Sequence, residues 1–222
     1  MQQPLIVFDL DGTLVDTAPD LIATLNAVFA REGLPPVPYE QARMLIGGGA
    51  KVMIARGLEA EGRKIAPAQQ DKLFADFIDY YAAHIADRSQ PFPGLEDALD
   101  RLAAENFRLA VCTNKLEALS IKLLDALNLS RRFAVICGQD TFGIQKPDPE
   151  MLQRTIAAAG GKIEAAIMVG DSETDIRTAQ AAGIPVIAVD FGYTPRPVAE
   201  FRPDRIISHF NHLREAIAAL SR

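Results

Sequence analysis

Phe8-Asp9-Leu10-Asp11-Gly12-Thr13-Leu14-Val15-Asp16-Thr17 decides how the rest of the chain is read. Ahead of it, Pro4-Leu5-Ile6-Val7-Phe8 is short, apolar and partly β-branched, the composition of a buried strand. An apolar strand that stops at Asp-x-Asp-Gly delivers acids to its C-terminal edge. In open parallel α/β sheets, ligands bind outside that edge. Extended residues two apart point the same way, so Asp9 and Asp11 are expected to face one spot. Gly12 is expected to supply the positive φ of a tight turn. Taken alone, Asp-x-Asp-Gly also reads as an ordinary polar turn.

Working outward, Asp20–Arg31 carries Leu21, Ile22, Leu25, Val28 and Phe29 along one helical stripe. Gly33 stops that helix, and Pro35-Pro36-Val37-Pro38 makes a stiff connector. Further helices are expected over Pro38–Ile46, Ala50–Glu61 and Pro67–Asp87, the last with Leu73, Phe74, Phe77, Ile78 and Tyr81 in one stripe. Nothing between Thr17 and Arg88 reads as a strand, so a separate small helical bundle is expected there. Ser89-Gln90-Pro91-Phe92-Pro93-Gly94 reads as the return linker. Beyond it, strands are expected over Phe107–Thr113, Ala134–Gly138, Ala166–Gly170, Val186–Asp190 and Arg205–Ser208. They alternate with helices over Leu95–Glu105, Lys115–Leu127, Pro149–Ala159, Glu173–Ala182 and Asn211–Leu220. Such alternation implies an α/β fold: a Rossmann-like parallel sheet core with helices on both faces.

A chain of 222 residues holds one large domain, or a core domain with a small accessory one. The net charge is −6 and no Lys/Arg run stands out, which argues against nucleic acid and anionic membranes as partners. No apolar run reaches the ~18 residues that span a bilayer. Met1-Gln2-Gln3-Pro4 has no basic region and its apolar run ends at Asp9, so no signal peptide is expected. Cys112 and Cys137 each fall in an expected buried strand without metal-type spacing. They read as small core residues of a protein in a reducing cytoplasm. His84, His209 and His212 read as surface residues, and two histidines without a third ligand make a poor metal site.

Four expected strand ends carry polar signatures: Asp9 with Asp11, Thr113-Asn114-Lys115, Gln145-Lys146-Pro147-Asp148-Pro149, and Gly170-Asp171-Ser172-Glu173-Thr174-Asp175. Singly, Thr-Asn also reads as a helix cap. Lys-Pro-Asp-Pro reads as a loop whose Pro149 starts a helix. Gly-Asp-Ser-x-x-Asp reads as a turn with an N-cap, Asp175 adding favourable charge to the first helical turn. Jointly they lie at one sheet edge, and there electrostatics makes a demand of its own. Two like charges ~4 Å apart repel by about 4 kcal/mol at an effective dielectric near 20. Asp9, Asp11, Asp171 and Asp175 converging on one small site have to protonate or bind a cation. An all-oxygen set suits Mg²⁺.

Asp-Leu-Asp-Gly-Thr-Leu-Val-Asp-Thr resembles the first motif of the haloacid dehalogenase superfamily of Asp-nucleophile phosphohydrolases, and the other three signatures follow in the order and spacing of its remaining motifs. The resemblance covers nearly the whole chain. It implies a core over 1–16 and 89–222, with the helices of 17–88 forming a small all-helical cap domain inserted after the first strand. The cap is expected to swing about Leu14–Thr17 and Arg88–Gly94 and to exclude water, with Asp16 and Thr17 as hinge and helix cap.

The roles it implies are these. Asp9 is the nucleophile that forms an aspartyl-phosphate, and Asp11 is the general acid, then base. Asp9, the backbone carbonyl of Asp11, and Asp171 hold Mg²⁺, with Asp175 standing behind them. Thr113 and Asn114 donate to phosphate oxygens, and Lys146 balances charge on Asp9 and on the phosphoryl group in transfer. A carboxylate at Asp11 implies phosphate-ester hydrolysis or phosphomutase chemistry rather than dehalogenation. It also argues against a non-enzymatic phosphoaspartate switch, whose acyl phosphate has to survive.

In the insertion, Ile46-Gly47-Gly48-Gly49-Ala50-Lys51 fits no phosphate-loop pattern. It reads either as a flexible link between helices or as a receptor in which Gly48, Gly49 and Lys51 take a substrate carboxylate at a helix start. With that loop and the extended first motif, the chain looks like the phosphoglycolate phosphatase branch. That implies a Mg²⁺-dependent, cytoplasmic phosphatase of a small phosphorylated metabolite, 2-phosphoglycolate first, acting as a monomer or homodimer. Relatives of the same shape act on sugar phosphates, N-acetylmuramic acid 6-phosphate or pyrophosphate, or run as sugar phosphomutases.

Overall fold

Strand β1 (Leu5–Phe8) is buried along its whole length and sits in the middle of a six-stranded sheet. It pairs in parallel with β4 (Arg108–Cys112) on one side and β6 (Ala166–Gly170) on the other. Beyond β4 lies β5 (Val135–Cys137), and beyond β6 lie β7 (Val186–Val189) and β8 (Arg205–Ile207), all parallel. The order β5-β4-β1-β6-β7-β8 means that the chain builds outward in one direction, crosses back, and builds outward in the other. The crevice outside the carboxyl ends of β4, β1 and β6 is therefore the ligand-binding position of an open α/β sheet. The computed structural model describes residues 4–63 and 65–220. Residues 1–3, on which the expectation about a signal peptide falls, and the outer ends of the 1–16 and 89–222 segments lie outside them.

Alternation along each strand sends successive side chains to opposite faces. Ile6, Phe8, Leu109, Val111, Ile167, Val169, Ile187 and Val189 pack to one side, in a core shared with α5 (Leu95–Ala104), α6 (Glu117–Ala126) and α9 (Leu213–Leu220). Leu5, Val7, Ala110, Cys112, Met168, Val186 and Ala188 pack to the other, against α7 (Pro149–Ala158) and α8 (Glu173–Ala182). The expected Rossmann-like core with helices on both faces is the one observed. Cys112 and Cys137 are free, buried and opposite each other in register, and burial pushes the Cys112 thiol up to about 12.

Several elements are shorter than their sequence pattern. The helix expected from Lys115 starts at Glu117, because Thr113–Leu116 are held as a loop. There the Lys115 N–H donates to Thr113 Oγ1 at 3.2 Å and the Lys115 carbonyl accepts from the Gln139 N–H at 3.1 Å. The helix expected from Asn211 begins as a 3-10 turn over Phe210–His212. In the insertion, α1 (Ala18–Arg31), α2 (Tyr39–Arg43), α3 (Ala50–Ala60) and α4 (Pro67–Ala83) follow one another with no strand among the described residues. α4 packs on both α1 and α3, and Gly57 lets α3 approach α1: a Cβ there would stand 3.0 Å from the Phe29 ring.

The chain enters and leaves this helical segment through a feature the sequence reading treated as linker. β2 (Val15–Asp16) and β3 (Gln90–Pro91) form a two-stranded antiparallel ribbon. Beside it, the buried Asp20 carboxylate accepts from the N–H groups of Arg88 (3.0 Å) and Ser89 (2.8 Å) and from Ser89 Oγ (2.7 Å). The outgoing and returning strands are thereby tied at one place.

Candidate active site

Asp9 follows β1 directly, and its N–H still donates to the Val169 carbonyl on β6 at 2.9 Å, so the sheet itself fixes its position. The next turn is tight. The Leu10 carbonyl accepts from the N–H groups of Leu14 (3.0 Å) and Val15 (3.1 Å), and Gly12 takes φ +86°. A Cβ on Gly12 would also meet Asp171 Oδ2 at 2.5 Å, so space as well as conformation requires glycine. Asp171 stands at the end of β6, its Oδ2 accepting from the Tyr193 N–H at 2.8 Å. Asp175 and Ser172 form a capping box at the start of α8: Asp175 Oδ2 accepts from Ser172 Oγ (2.6 Å) and from its N–H (3.1 Å).

Lys146 reaches into this group from the loop before α7. Its Nζ lies 2.7 Å from Asp9 Oδ1 and 2.5 Å from Asp175 Oδ1. The Asn114 side chain grips the Lys146 peptide from both ends, accepting its N–H at 2.8 Å and donating to its carbonyl at 3.0 Å. Asp9, Asp171 and Asp175 offer oxygens that all lie within 4.8 Å of one another, and all three residues are buried.

Three carboxylates are thus buried around one ammonium, which pairs with Asp9 and Asp175. Burial, then the Asp175 charge, raise the Asp9 carboxyl to about 7, although Lys146 pulls it down. Burial, Asp175 and Asp9 together raise Asp171 well above the usual carboxylate range. Burial opposes the Lys146 charge, but Asp175 and Asp9 outweigh it and hold the ammonium protonated. The residual negative charge and the all-carboxylate donor set fit a hard divalent cation such as Mg²⁺.

Asp11 does not join this trio. Its carboxylate turns toward Lys115 Nζ, 2.9 Å from each oxygen, and also accepts from Thr17 Oγ1 at 2.8 Å. The expected convergence of four side-chain acids is therefore three plus one. Thr17 holds the N-cap position of α1 without capping it, since its hydroxyl is spent on Asp11. Thr113 is buried, its hydroxyl oxygen accepting from the Lys115 N–H.

A narrow cleft of about 40 Å³ opens over Asp9, Asp11, Asn114 and Lys115. Leu21, Met53, Phe74, Phe77, Ile78, Tyr81, Leu116 and Leu119 make most of its wall. Gly47, Gly49 and Ala50 border it, whereas Gly48 borders a neighbouring cleft with Arg56 and Asp171. Lys51 is not brought to either cleft. The second residue of α3 projects toward α4, and its exposed Nζ lies 4.9 Å from the Phe74 ring centre and 3.7 Å from Asp71. The expectation of Lys51 as a carboxylate receptor is corrected on that ground.

Three residues of this region have no role assigned from sequence. Lys115 closes the Thr113-Asn114-Lys115 signature and opens an expected helix, without a role of its own. Tyr193 lies in the loop after β7, donating its N–H to Asp171 and its hydroxyl to Asp16 Oδ1 at 2.5 Å, while accepting the Ala18 N–H at 3.0 Å. Arg43 of α2 donates to the carbonyls of Phe191 (3.3 Å) and Gly192 (3.1 Å) and lies over the Tyr193 ring at 5.2 Å. An aromatic residue within Asp190-Phe191-Gly192-Tyr193-Thr194-Pro195, just past a strand end, was the available clue.

Comparison with known proteins agrees with this architecture. The family model for haloacid dehalogenase-like hydrolases matches residues 6–189. A phosphoglycolate phosphatase of Mesorhizobium japonicum is 51% identical over 98% of this chain and 96% of its own. One of Agrobacterium fabrum is 46% identical over 96% of this chain and 92% of its own. Among solved structures, a predicted phosphoglycolate phosphatase from Haemophilus somnus superposes with a TM-score of 0.90 at 28% identity, covering 97% of this chain and 98% of that one. CbbY from Rhodobacter sphaeroides, solved in complex with phosphate, gives a TM-score of 0.81 at 27% identity over 96% of each chain. A match that spans most of the sheet core, with relatives alike from end to end, leaves one assignment: the chain belongs to the haloacid dehalogenase-like hydrolases, as a phosphoric monoester hydrolase.

Proposed function

We propose that this phosphatase hydrolyses 2-phosphoglycolate to glycolate and phosphate, with Asp9 as nucleophile, Asp11 as acid and base, and Mg²⁺ held by Asp9, the Asp11 carbonyl and Asp171. The observation that carries the reading is that Asp9, at the floor of a narrow cleft whose walls are mostly apolar, pairs at 2.7 Å with Lys146 behind it. Such a floor accepts a phosphoryl group, and the small, largely apolar space above it suits a short acid better than a sugar. The likeness to phosphoglycolate phosphatases at 51% and 46% identity supports the substrate.

An Asp9 carboxylate oxygen attacks phosphorus in line with the ester oxygen. The P–O bond to the alcohol breaks, and Asp11, entering the step protonated, gives its proton to the departing glycolate oxygen. An aspartyl-phosphate and the Lys115-paired Asp11 carboxylate remain. Asp11, now a carboxylate, takes a proton from water as that water attacks phosphorus, and phosphate leaves Asp9 free again. Mg²⁺, when bound, neutralises the phosphoryl oxygens and lets a dianion approach the carboxylates. Lys146 stabilises charge on Asp9 and on the phosphoryl group, and Asn114 keeps Lys146 in place through its peptide.

The Asn114 side-chain amide is committed to that task, so the Asn114 backbone N–H, with the Thr113 hydroxyl, is the proposed donor to phosphate. The Thr113 oxygen accepts from Lys115, which leaves its hydrogen to give. Residues 17–88 act as a cap that excludes water during transfer. The buried free thiols suit a reducing cytoplasm.

The test is a kcat/KM panel with 2-phosphoglycolate, glucose 6-phosphate, N-acetylmuramic acid 6-phosphate, pyrophosphate and p-nitrophenyl phosphate, each with Mg²⁺ and with EDTA. The expected result is Mg²⁺-dependent turnover with 2-phosphoglycolate first. Undiminished turnover in EDTA refutes the metal, and a higher kcat/KM for a sugar phosphate refutes the substrate.

A further inference from the structure

We propose that Lys115 and Tyr81 together receive the carboxylate of the substrate, a role that rests on the phosphoglycolate reading above. Among the described residues that line the cleft, Lys115 is the one cation. Its side chain is 5% exposed, its ammonium lies 4.6 Å from the Tyr81 ring centre, and it meets Asp11 at 2.9 Å from each carboxylate oxygen. An ammonium has three N–H groups: two suffice for Asp11, and the third faces the Tyr81 hydroxyl, so a ligand oxygen would enter between them. Tyr81 comes from α4, on the opposite wall. It is 1% exposed; its hydroxyl makes no close hydrogen bond among the described residues and faces the Lys115 ammonium. A buried phenol left unpaired is costly and rare, and a ligand oxygen resolves it.

The rest of the wall, including Leu21, Met53, Phe77 and Leu119, offers a carboxylate nothing. The first turn of α3 at Gly49 and Ala50 borders the same space and adds the positive end of an eleven-residue helix. Phosphate and carboxylate are thus received at two places: Lys146 and the acid trio below, Lys115 and Tyr81 above. Because Lys115 shares its charge with Asp11, the expected selectivity is about 30-fold, the scale of one charge-assisted hydrogen bond rather than of a dedicated ion pair.

The experiment measures inhibition of p-nitrophenyl phosphate hydrolysis by 3-phosphonopropionate, which carries a carboxylate, and by propylphosphonate, which does not. Wild type is expected to bind the first about 30-fold more tightly. Lys115→Met is expected to bring the ratio near unity, and Tyr81→Phe, which keeps the ring and the Lys115–Asp11 pair, to lower it about 5-fold. Calorimetric titration of the same two phosphonates replaces kinetics if Lys115→Met is too slow to assay. A lysine that only orients Asp11 would lower kcat and leave the ratio untouched, and that result overturns the proposal, as does a wild type that does not tell the two phosphonates apart. If wild type discriminates between them but does not turn over 2-phosphoglycolate, the receptor stands and the substrate assignment falls.

Discussion

Replacing Lys146 by Met removes the one ammonium shared by Asp9 and Asp175 while keeping most of the side-chain volume. Lys146 is 3% exposed, with carboxylate oxygens at 2.7 and 2.5 Å. Removing one partner of such a buried pair costs about 3–5 kcal/mol, because the remaining charge has nowhere to go. Here two carboxylates are left behind, with Asp171 beside them. The cost depends on pH in a direction that the site fixes. Asp9 in the folded, metal-free protein titrates at about 7 against an ordinary 3.8, so it binds a proton over that window that the unfolded chain has released. Metal-free wild type is therefore expected to lose stability as pH rises from 4 to 7. The Lys146 contribution, from a group whose pKa is raised, is fully present anywhere below 10.5.

Without Lys146 the acids repel one another most when all are ionised. In EDTA the loss is expected to be about 4 kcal/mol at pH 8 and about 2 kcal/mol at pH 6. Mg²⁺ at a hundredfold above its Kd is expected to recover about 3 kcal/mol at pH 8. Urea denaturation of both proteins, at both pH values, with and without Mg²⁺, measures all three quantities. A loss equal at pH 6 and pH 8 and unmoved by Mg²⁺ would refute the argument that Lys146 is held by, and neutralises, these acids.

Asp9→Asn is expected to lower kcat by at least about 10³-fold while leaving metal-free stability at pH 8 equal or higher, since a carboxylate crowded by Asp175 is gone; single-turnover kinetics and thermal melts check both. Asp20→Ala deprives the N–H groups of Arg88 and Ser89 and the Ser89 hydroxyl of their buried acceptor, and a loss of about 3–5 kcal/mol in urea denaturation is expected. Gly192→Ala would place a Cβ 2.3 Å from Asp171 Oδ2, so Asp171 has to move. The Mg²⁺ concentration for half-maximal activity is expected to rise about 10-fold, with little change in kcat at saturating Mg²⁺.

The sheet was legible because its signals are local. A strand buried on both faces is apolar along its whole length, and β1, β4, β6 and β7 each show such a run ended by a polar residue. The polar residue marks the carboxyl edge, so Asp9, Thr113 and Asp171 were placed at one edge without any contact being known. Strand order was not legible: β1, β4, β6 and β7 are alike in burial, and only their pairing puts β1 between β4 and β6. The two-residue ribbon of β2 and β3 was not legible. Two residues make no periodicity, and Pro91 argues against a strand except in a short exposed pairing of this kind.

Side-chain partners are a different matter, because they are chosen in space among several chemically equivalent groups. Lys51, Lys115 and Lys146 each follow a turn near a helix start, and sequence ranks them only by resemblance. The backbone separates them: the Asn114 grip aims Lys146 at Asp9, and the loop over Thr113–Leu116 turns Lys115 inward to Asp11. A regular helix start carries Lys51 outward to Asp71. The same holds for Asp20, whose spacing on α1 reads as a helix-start acid but whose carboxylate is consumed by the returning strand 68 residues later. What decides such cases is whether the local backbone is irregular. Lys115, which reaches the cleft wall, and Lys146, which reaches the acids beneath it, each leave from a loop held by its own hydrogen bonds, and the lysine that leaves from a helix reaches neither.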